Sequence, residues 1–303
     1  MTVKEAPRAL ADSRLGLALL AGLTFFWGIN WPAMKTALVE IPVFGFRAIT
    51  VIGGSMGLLL LARLAGQRLM LTRSELKPLV IVSLINVTGW QLLSAFGIAN
   101  MEAGRAAIVA YTMPVWTALL AVPFLGEKLT LRVIAALALG MGGVACLLVP
   151  ARAGLATAPL GLLFMALAGF VWAAGTVCLK RVRWSLPILS LAGWQLLIGG
   201  IPVVIGAIVI DGDFDWPSIS MTAWLATAYA TIIPTVFCHW AWYQVVSIYP
   251  ASISALGTLL IPVMGVLSST LVLGEPIGWD VIAALALVSA AIALITIVPG
   301  RRR

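Results

Sequence analysis

The chain has 303 residues, 62% of them hydrophobic and 10% charged, and carries a net charge of +8. A soluble domain is typically about 25% charged, so this composition excludes a water-solvated globular protein and requires lipid as the main solvent. The basic residues sit in short clusters between apolar runs, the pattern of a protein oriented in a bilayer by its loops rather than of a nucleic-acid binder.

A membrane-spanning helix needs roughly 20 predominantly apolar residues. Runs of that kind predict ten helices, at about 15–34, 44–62, 79–99, 105–125, 131–149, 160–179, 187–210, 222–243, 251–273 and 279–298. The linkers are short and leave no room for a separate soluble domain. Residues 1–14 carry Lys4, Arg8 and Arg14, and the run that follows is long enough to span, so no cleavable signal is expected. Cys146, Cys178 and Cys238 each lie inside an apolar run without metal-ligand spacing, and no metal site is expected.

The first helix reads FFWGINWPAMK. Trp27, Asn30, Trp31 and Met34 share one face, and an Asn in mid-membrane is disfavoured against lipid. That face is therefore a candidate substrate wall, with Pro32 as a candidate hinge because it cannot donate to the carbonyl four residues earlier. In the second helix Arg47 is the one basic residue well inside a span; it either pairs with a substrate carboxylate or snorkels to the surface. Gly53 and Gly57 form a GxxxG, too common in apolar helices to specify a dimer, and the oligomeric state stays open. In the third helix Asn86 and Trp90 share a face, with Gln91 beside them; interhelical hydrogen bonding and substrate contact both satisfy such amides.

The fourth helix holds Tyr111, Thr112, Pro114 and Trp116, the sixth Trp172, and the ninth Pro262. Pro114 and Pro262 are candidate paired kinks. Lys35 and Lys180 end their helices, where snorkelling is the simpler role. Glu127 and Glu275 follow glycines and precede a new helix, where negative charge suits the positive end of the next helix dipole. The eighth helix, TIIPTVFCHWAWYQ, holds the only histidine, His239, beside Trp240, Trp242 and Tyr243. An ionisable residue inside a membrane is a functional candidate by default, so His239, Trp240 and Tyr243 join Trp27, Asn30, Trp31, Asn86, Trp90, Tyr111 and Trp172 as candidate substrate-binding residues.

The loops sort by charge. With ten spans, 15 Lys and Arg fall on the side of the two termini and three (Lys35, Arg105 and Arg152) on the other. This asymmetry predicts cytoplasmic termini.

The string VIAALAL occurs at 133–139 and again at 281–287. The same 148-residue offset lays Pro114 over Pro262, Gly126 over Gly274, Glu127 over Glu275 and Arg47 over Gln195. Nearer the start of each half the offset is 145, laying Gly16, Trp27 and Lys35 over Gly161, Trp172 and Lys180. The fold predicted is an all-α integral membrane protein of two five-helix repeats, 1–150 and 151–303, forming one transport domain. Five is odd, so the second repeat enters the membrane inverted, and such folds hold substrate between the halves near the midplane.

Ten helices in two halves, the early Gly…Trp…Lys helix, the Pro at 114 and 262 and the LGE turns at 125–127 and 273–275 resemble the EamA family of the drug/metabolite transporter (DMT) superfamily. The overall look is similar to its YddG-type exporters of aromatic and other neutral amino acids. The resemblance implies a bacterial inner-membrane exporter with a central cavity lined mainly by helices 1, 3, 4, 6, 8 and 9. No P-loop, zinc-protease motif or catalytic triad is present, so neither an ATP motor, a cofactor nor an enzyme is expected. No carboxylate lies near the middle of a span, which favours facilitated or weakly proton-linked export of amino acids by alternating access. The rival readings are export of another metabolite or an amphipathic drug, a lipid-modifying enzyme, and a membrane scaffold or sensor. The expected partners are a small-molecule substrate and the lipid bilayer, not nucleic acid.

Overall fold

A computed structural model describes residues 5–126, 130–148, 158–212, 214–248 and 260–296. The regular elements are helices: α1 (Glu5–Glu40), α2 (Val43–Leu64), α3 (Arg73–Ala99), α4 (Ala103–Leu125), α5 (Leu131–Leu148), α6 (Ala158–Arg181), α7 (Ile188–Ile210), α8 (221–248), α9 (Leu260–Leu273) and α10 (Trp279–Thr296). Among the described residues seven helices are long and apolar enough to cross a membrane. Three further apolar stretches are shorter, at Ile134–Leu147, Ile261–Leu273 and Trp279–Ala291. The ninth predicted run is described only from residue 260.

Several boundaries differ from the sequence reading for local reasons. Helix α3 begins at Arg73 rather than about 79, because Glu75 reaches back to the backbone N–H of Thr72 (3.4 Å) and to its hydroxyl (2.6 Å), a capping arrangement that starts a helix early. Helix α1 runs through Pro32 to Glu40 without stopping. Helix α4 is broken. Its first segment, Ala103–Ala110, gives way to a turn at Tyr111–Thr112 before Met113–Leu125. Pro114 thus lies in the first turn of a new segment, where its missing N–H costs nothing, and does not kink a continuous helix. Pro262 lies in the first turn of the described part of α9.

Two helices contain a π turn, at Leu84–Gly89 in α3 and at Thr231–Phe237 in α8. Gly126 and Gly274 both adopt the left-handed conformation, with φ of 71° and 69°, and end the segments before them. Only a residue without Cβ takes that conformation cheaply.

The chain packs its early helices on its late ones. The main pairings are α2 with α7, α5 with α10, α1 with α8 and α9, α6 with α3 and α4, and the first segment of α4 with α9. Phe46, Leu23, Ile41, Ile98 and Met165 are fully buried between them. On α7, by contrast, Ile201, Ile205 and Ile208 leave an exposed apolar stripe at helical spacing, which fits a lipid-facing surface, since the helix already satisfies its own backbone there. The protein is a multi-pass, all-helical membrane protein.

Close approach in the bundle depends on glycine. A Cβ on Gly199 of α7 would sit 2.5 Å from Val87 Cβ and 2.6 Å from the carbonyl oxygen of Ser83, both on α3. The backbone of α3 cannot yield as a side-chain tip can. Gly199→Val is expected to lower the detergent unfolding temperature, with a cost at or above the roughly 1–3 kcal/mol typical of overpacking. Gly22→Ala, whose nearest neighbour lies 3.9 Å away, is expected to leave it unchanged. Thermal unfolding monitored by size-exclusion chromatography checks both.

Candidate functional site

Proline sets the geometry between α1 and the late helices. Pro32 cannot bond the carbonyl of Gly28, and Ser268 of α9 stands 3.3 Å from that oxygen, sharing its proton with the carbonyl of Gly265 at 3.1 Å. Trp31 is buried and lies against Gly265, and Gly28 lies against Met264. Pro32 therefore sits in a docked, buried segment.

Pro234 plays a related part in α8. It frees the carbonyl of Ala230, which accepts from Thr235 Oγ1 at 2.9 Å. Its own carbonyl accepts from Trp27 Nε1 at 3.1 Å and stands 3.1 Å from His239 Nδ1. A carbonyl has no proton to give, so Nδ1 of His239 carries a proton and donates it to Pro234. The Trp27 ring also meets His239 edge-on at 5.9 Å and Trp242 at 6.3 Å. Trp240 packs on Phe237 at 5.9 Å. The predicted aromatic cluster of α8 thus forms, joined to Trp27. The side chain of Tyr243 lies outside the described residues.

A second aromatic group joins α3 to α6. The rings of Trp90 and Trp172 are 5.2 Å apart. Asn86, in the π turn, lies against Gly175, where a Cβ would come within 2.6 Å of its own. The oxygens of Asn86, Gln91 and Asn30 are buried and have no hydrogen-bond partner. In an apolar interior each such acceptor costs free energy until a donor arrives. Tyr111, in the turn of α4, is packed against the main core.

The ionic residues gather at the ends of the bundle, and sequence reasoning assigned several of them wrongly. Lys35 does not snorkel. Its Nζ donates to the carbonyls of Ile98 (2.8 Å), Ala99 and Met101 (3.0 Å each), capping the C-terminus of α3. Glu275 does not serve the helix that follows it. Its carboxylate accepts from Ala103 N (2.7 Å) and Gly104 N (2.9 Å), at the start of α4. Arg105 pairs with Glu102 (2.5 Å) and with Asp280 of α10 (2.7 Å). A polar cleft of about 340 Å³ opens here between Lys35, Asn100, Glu102 and Glu275. Glu127 lies outside the described residues, and Lys180 is exposed at the end of α6.

Each end carries one further tie. At the Lys35 end, Ser220 donates through N and Oγ to Glu40, 2.7 Å each. At the opposite end, Ser185 donates through N (2.5 Å) and Oγ (3.1 Å) to Glu75, and Arg68 donates to Ser185 Oγ at 2.7 Å. No spacing rule could have paired these residues, because each pair is joined only by the fold.

Residues 14–149 and 159–297 each match the model of the EamA-like transporter family. The chain is 30% identical over 293 residues to the uncharacterized transporter YvbV of Bacillus subtilis, covering 95% of this chain and 93% of that one. It is 27% identical over 278 residues to a probable amino-acid metabolite efflux pump of Escherichia coli, covering 86% of each. A solved crystal structure with 20% identity shares the fold, with a TM-score of 0.65 over 94% of this chain and 97% of the other. The chain belongs to the EamA-like transporter family of the drug/metabolite transporter superfamily.

Proposed function

We propose that this transporter exports amino acids, aromatic and other neutral ones, across a bacterial inner membrane by alternating access, facilitated or weakly linked to protons. The observation that carries the reading is the Trp90–Trp172 pair between α3 and α6, flanked by the unbonded amide oxygens of Asn86 and Gln91. Paired rings suit an apolar or aromatic side chain, and unpaired acceptors suit an ammonium group. The name of the Escherichia coli relative supports the same substrate class. Among the described residues the carboxylates with known partners lie at the ends of the bundle, away from these rings. A site for cationic drugs calls for one beside the rings.

The reading includes ten spans in two inverted five-helix repeats, 1–150 and 151–303. The two matches of the family model support it. So do features that recur at offsets of 147–148 residues: the π turns, the left-handed glycines, and the helix-starting Thr72 and Ser220. The packing supports it too, since α1 meets α8 and α9 as α6 meets α3 and α4. The end bearing Arg63, Arg68, Arg73, Lys77, Lys180, Arg181 and Arg183 is the cytoplasmic one. On this topology the Lys35–Glu275 cluster and the Glu40–Ser220 tie close the outer side, and the Glu75–Ser185 tie closes the inner. Export requires breaking the first set after the substrate has entered from within.

Two measurements test the reading. Proteoliposomes loaded with unlabelled phenylalanine or threonine are expected to accelerate uptake of labelled phenylalanine, while nucleoside or quaternary-ammonium loading leaves it at background. Trp90→Ala is expected to cut the rate by about tenfold, the scale of losing a well-packed aromatic contact. No acceleration under any loading refutes amino-acid transport. Separately, Glu275→Ala leaves two backbone N–H groups without their acceptor, a loss of roughly 1–3 kcal/mol. Because that loss falls on the closed outer side, faster labelling of a cysteine introduced at Asn100 is expected from outside right-side-out vesicles. Unchanged labelling removes Glu275 from the outer gate.

A further inference from the structure

We propose that Arg47 anchors the carboxylate of the transported substrate, an assignment that rests on the amino-acid reading above and narrows it to substrates with a free carboxylate. Arg47 lies in α2 and is 5% exposed, so it does not snorkel. Its Nη2 donates to Ser94 Oγ on α3 at 2.8 Å, and its Nε is buried without a partner. Arg47 forms no ion pair among the described residues. The ring of Phe46 covers the guanidinium at 5.3 Å. A buried cation without a counter-charge is strongly unfavourable, and inside a membrane helix it marks a ligand path by default.

The other half of the chain shows that the charge is not required for packing. At the offset of 148, Arg47 corresponds to Gln195 of α7, which is also buried, at 7% exposure. A neutral polar side chain fills the same place in the fold. The positive charge is an addition made on one side only.

The position fits the ring site. Ser94 follows Trp90 by four residues on the same face of α3, a rise of about 6 Å. Asn86 precedes Trp90 by one turn on that face. In an aromatic amino acid the carboxylate is separated from the ring only by the α and β carbons. With the side chain against Trp90 and Trp172, the carboxylate reaches the level of Ser94. There the guanidinium offers its free Nε–H beside the Nη2–H now held by Ser94, a fork that matches a carboxylate. The ammonium, on the same carbon as the carboxylate, then meets the unpaired oxygen of Gln91, within a turn of Ser94.

The test is equilibrium binding to the full-length detergent-purified protein, read by intrinsic tryptophan fluorescence, for phenylalanine and for phenylalaninamide, which keeps the ring and ammonium but lacks the carboxylate. Wild type is expected to bind phenylalanine roughly tenfold or more tighter than the amide, as befits a charge-assisted pair. Arg47→Gln is expected to bring the two affinities together by weakening phenylalanine alone. Ser94→Asp places an internal carboxylate against Arg47 and leaves no buried charge unpaired, so it answers the question even where Arg47→Gln fails to fold; it too is expected to erase the preference. The assignment is overturned by a wild type that binds both ligands equally, by a folded variant of either kind that keeps the wild-type preference, or by an Arg47→Gln protein that loses both ligands alike. Failure of wild type to bind either ligand refutes instead the amino-acid reading on which the assignment rests.

Discussion

A backbone carbonyl freed inside an apolar bundle must find a donor, because no water reaches it. Pro32 and Pro234 each free one, and Pro234 offers a second acceptor by its position in a π turn. The donors come from Ser268, Thr235, Trp27 and His239. Three of these four bonds tie α1 to α9, tie α1 to α8, or fix the ring that packs against α1. Helix α1 is thus held to the late part of the chain by repairs to its own and its neighbour's backbone. The aromatic face of α1 is aimed by the same bonds, since Trp27 cannot turn away without abandoning the Pro234 carbonyl.

This dependence separates two uses of aromatic residues that look alike in sequence. Trp27 and His239 spend their polar atoms on the backbone and act first as a joint between helices. Among the described residues no acceptor holds the Nε1 of Trp90 or Trp172, and the amides beside them keep unpaired oxygens. Polar groups already paired with protein offer a ligand little. Polar groups left unpaired gain the full value of a hydrogen bond when the ligand arrives. On the proposed reading, this difference favours the α3–α6 pair over the α1–α8 cluster as the substrate contact.

Much of this was legible in the sequence. The apolar runs that form the helices are local pattern, and local pattern is what a sequence displays. The residues misread are those whose partners lie far along the chain. Glu275 precedes a helix and so looks like its cap, yet it serves a helix start 171–172 residues earlier. Lys35 ends a helix and so looks exposed, yet the carbonyls of Ile98 and Ala99 at the end of α3 and of Met101 just beyond it receive it. Pro114 was legible as a disturbance but not as a helix start, because the break depends on the turn at Tyr111–Thr112. The capping box at Thr72–Glu75 was readable in principle, since Thr followed three residues later by Glu is its signature.

The ties at the two ends bear on how such a bundle can move. A protein that alternates between two openings needs both closed ends to be of similar strength, or it rests permanently in one state. Here each end joins a serine to one carboxylate through both its backbone N–H and its hydroxyl. The carboxylate comes from different places. Glu40 leaves the end of α1 to reach the N-cap of α8, whereas Glu75 sits within α3 and reaches out to the loop before α7. At the offset of 145, Glu40 lies over Ser185; at 148, Thr72 lies over Ser220. Both ends are thus tied by the same chemistry, a serine N–H and hydroxyl on one carboxylate, although the carboxylates do not correspond, since Glu75 lies over Ala223 at the offset of 148.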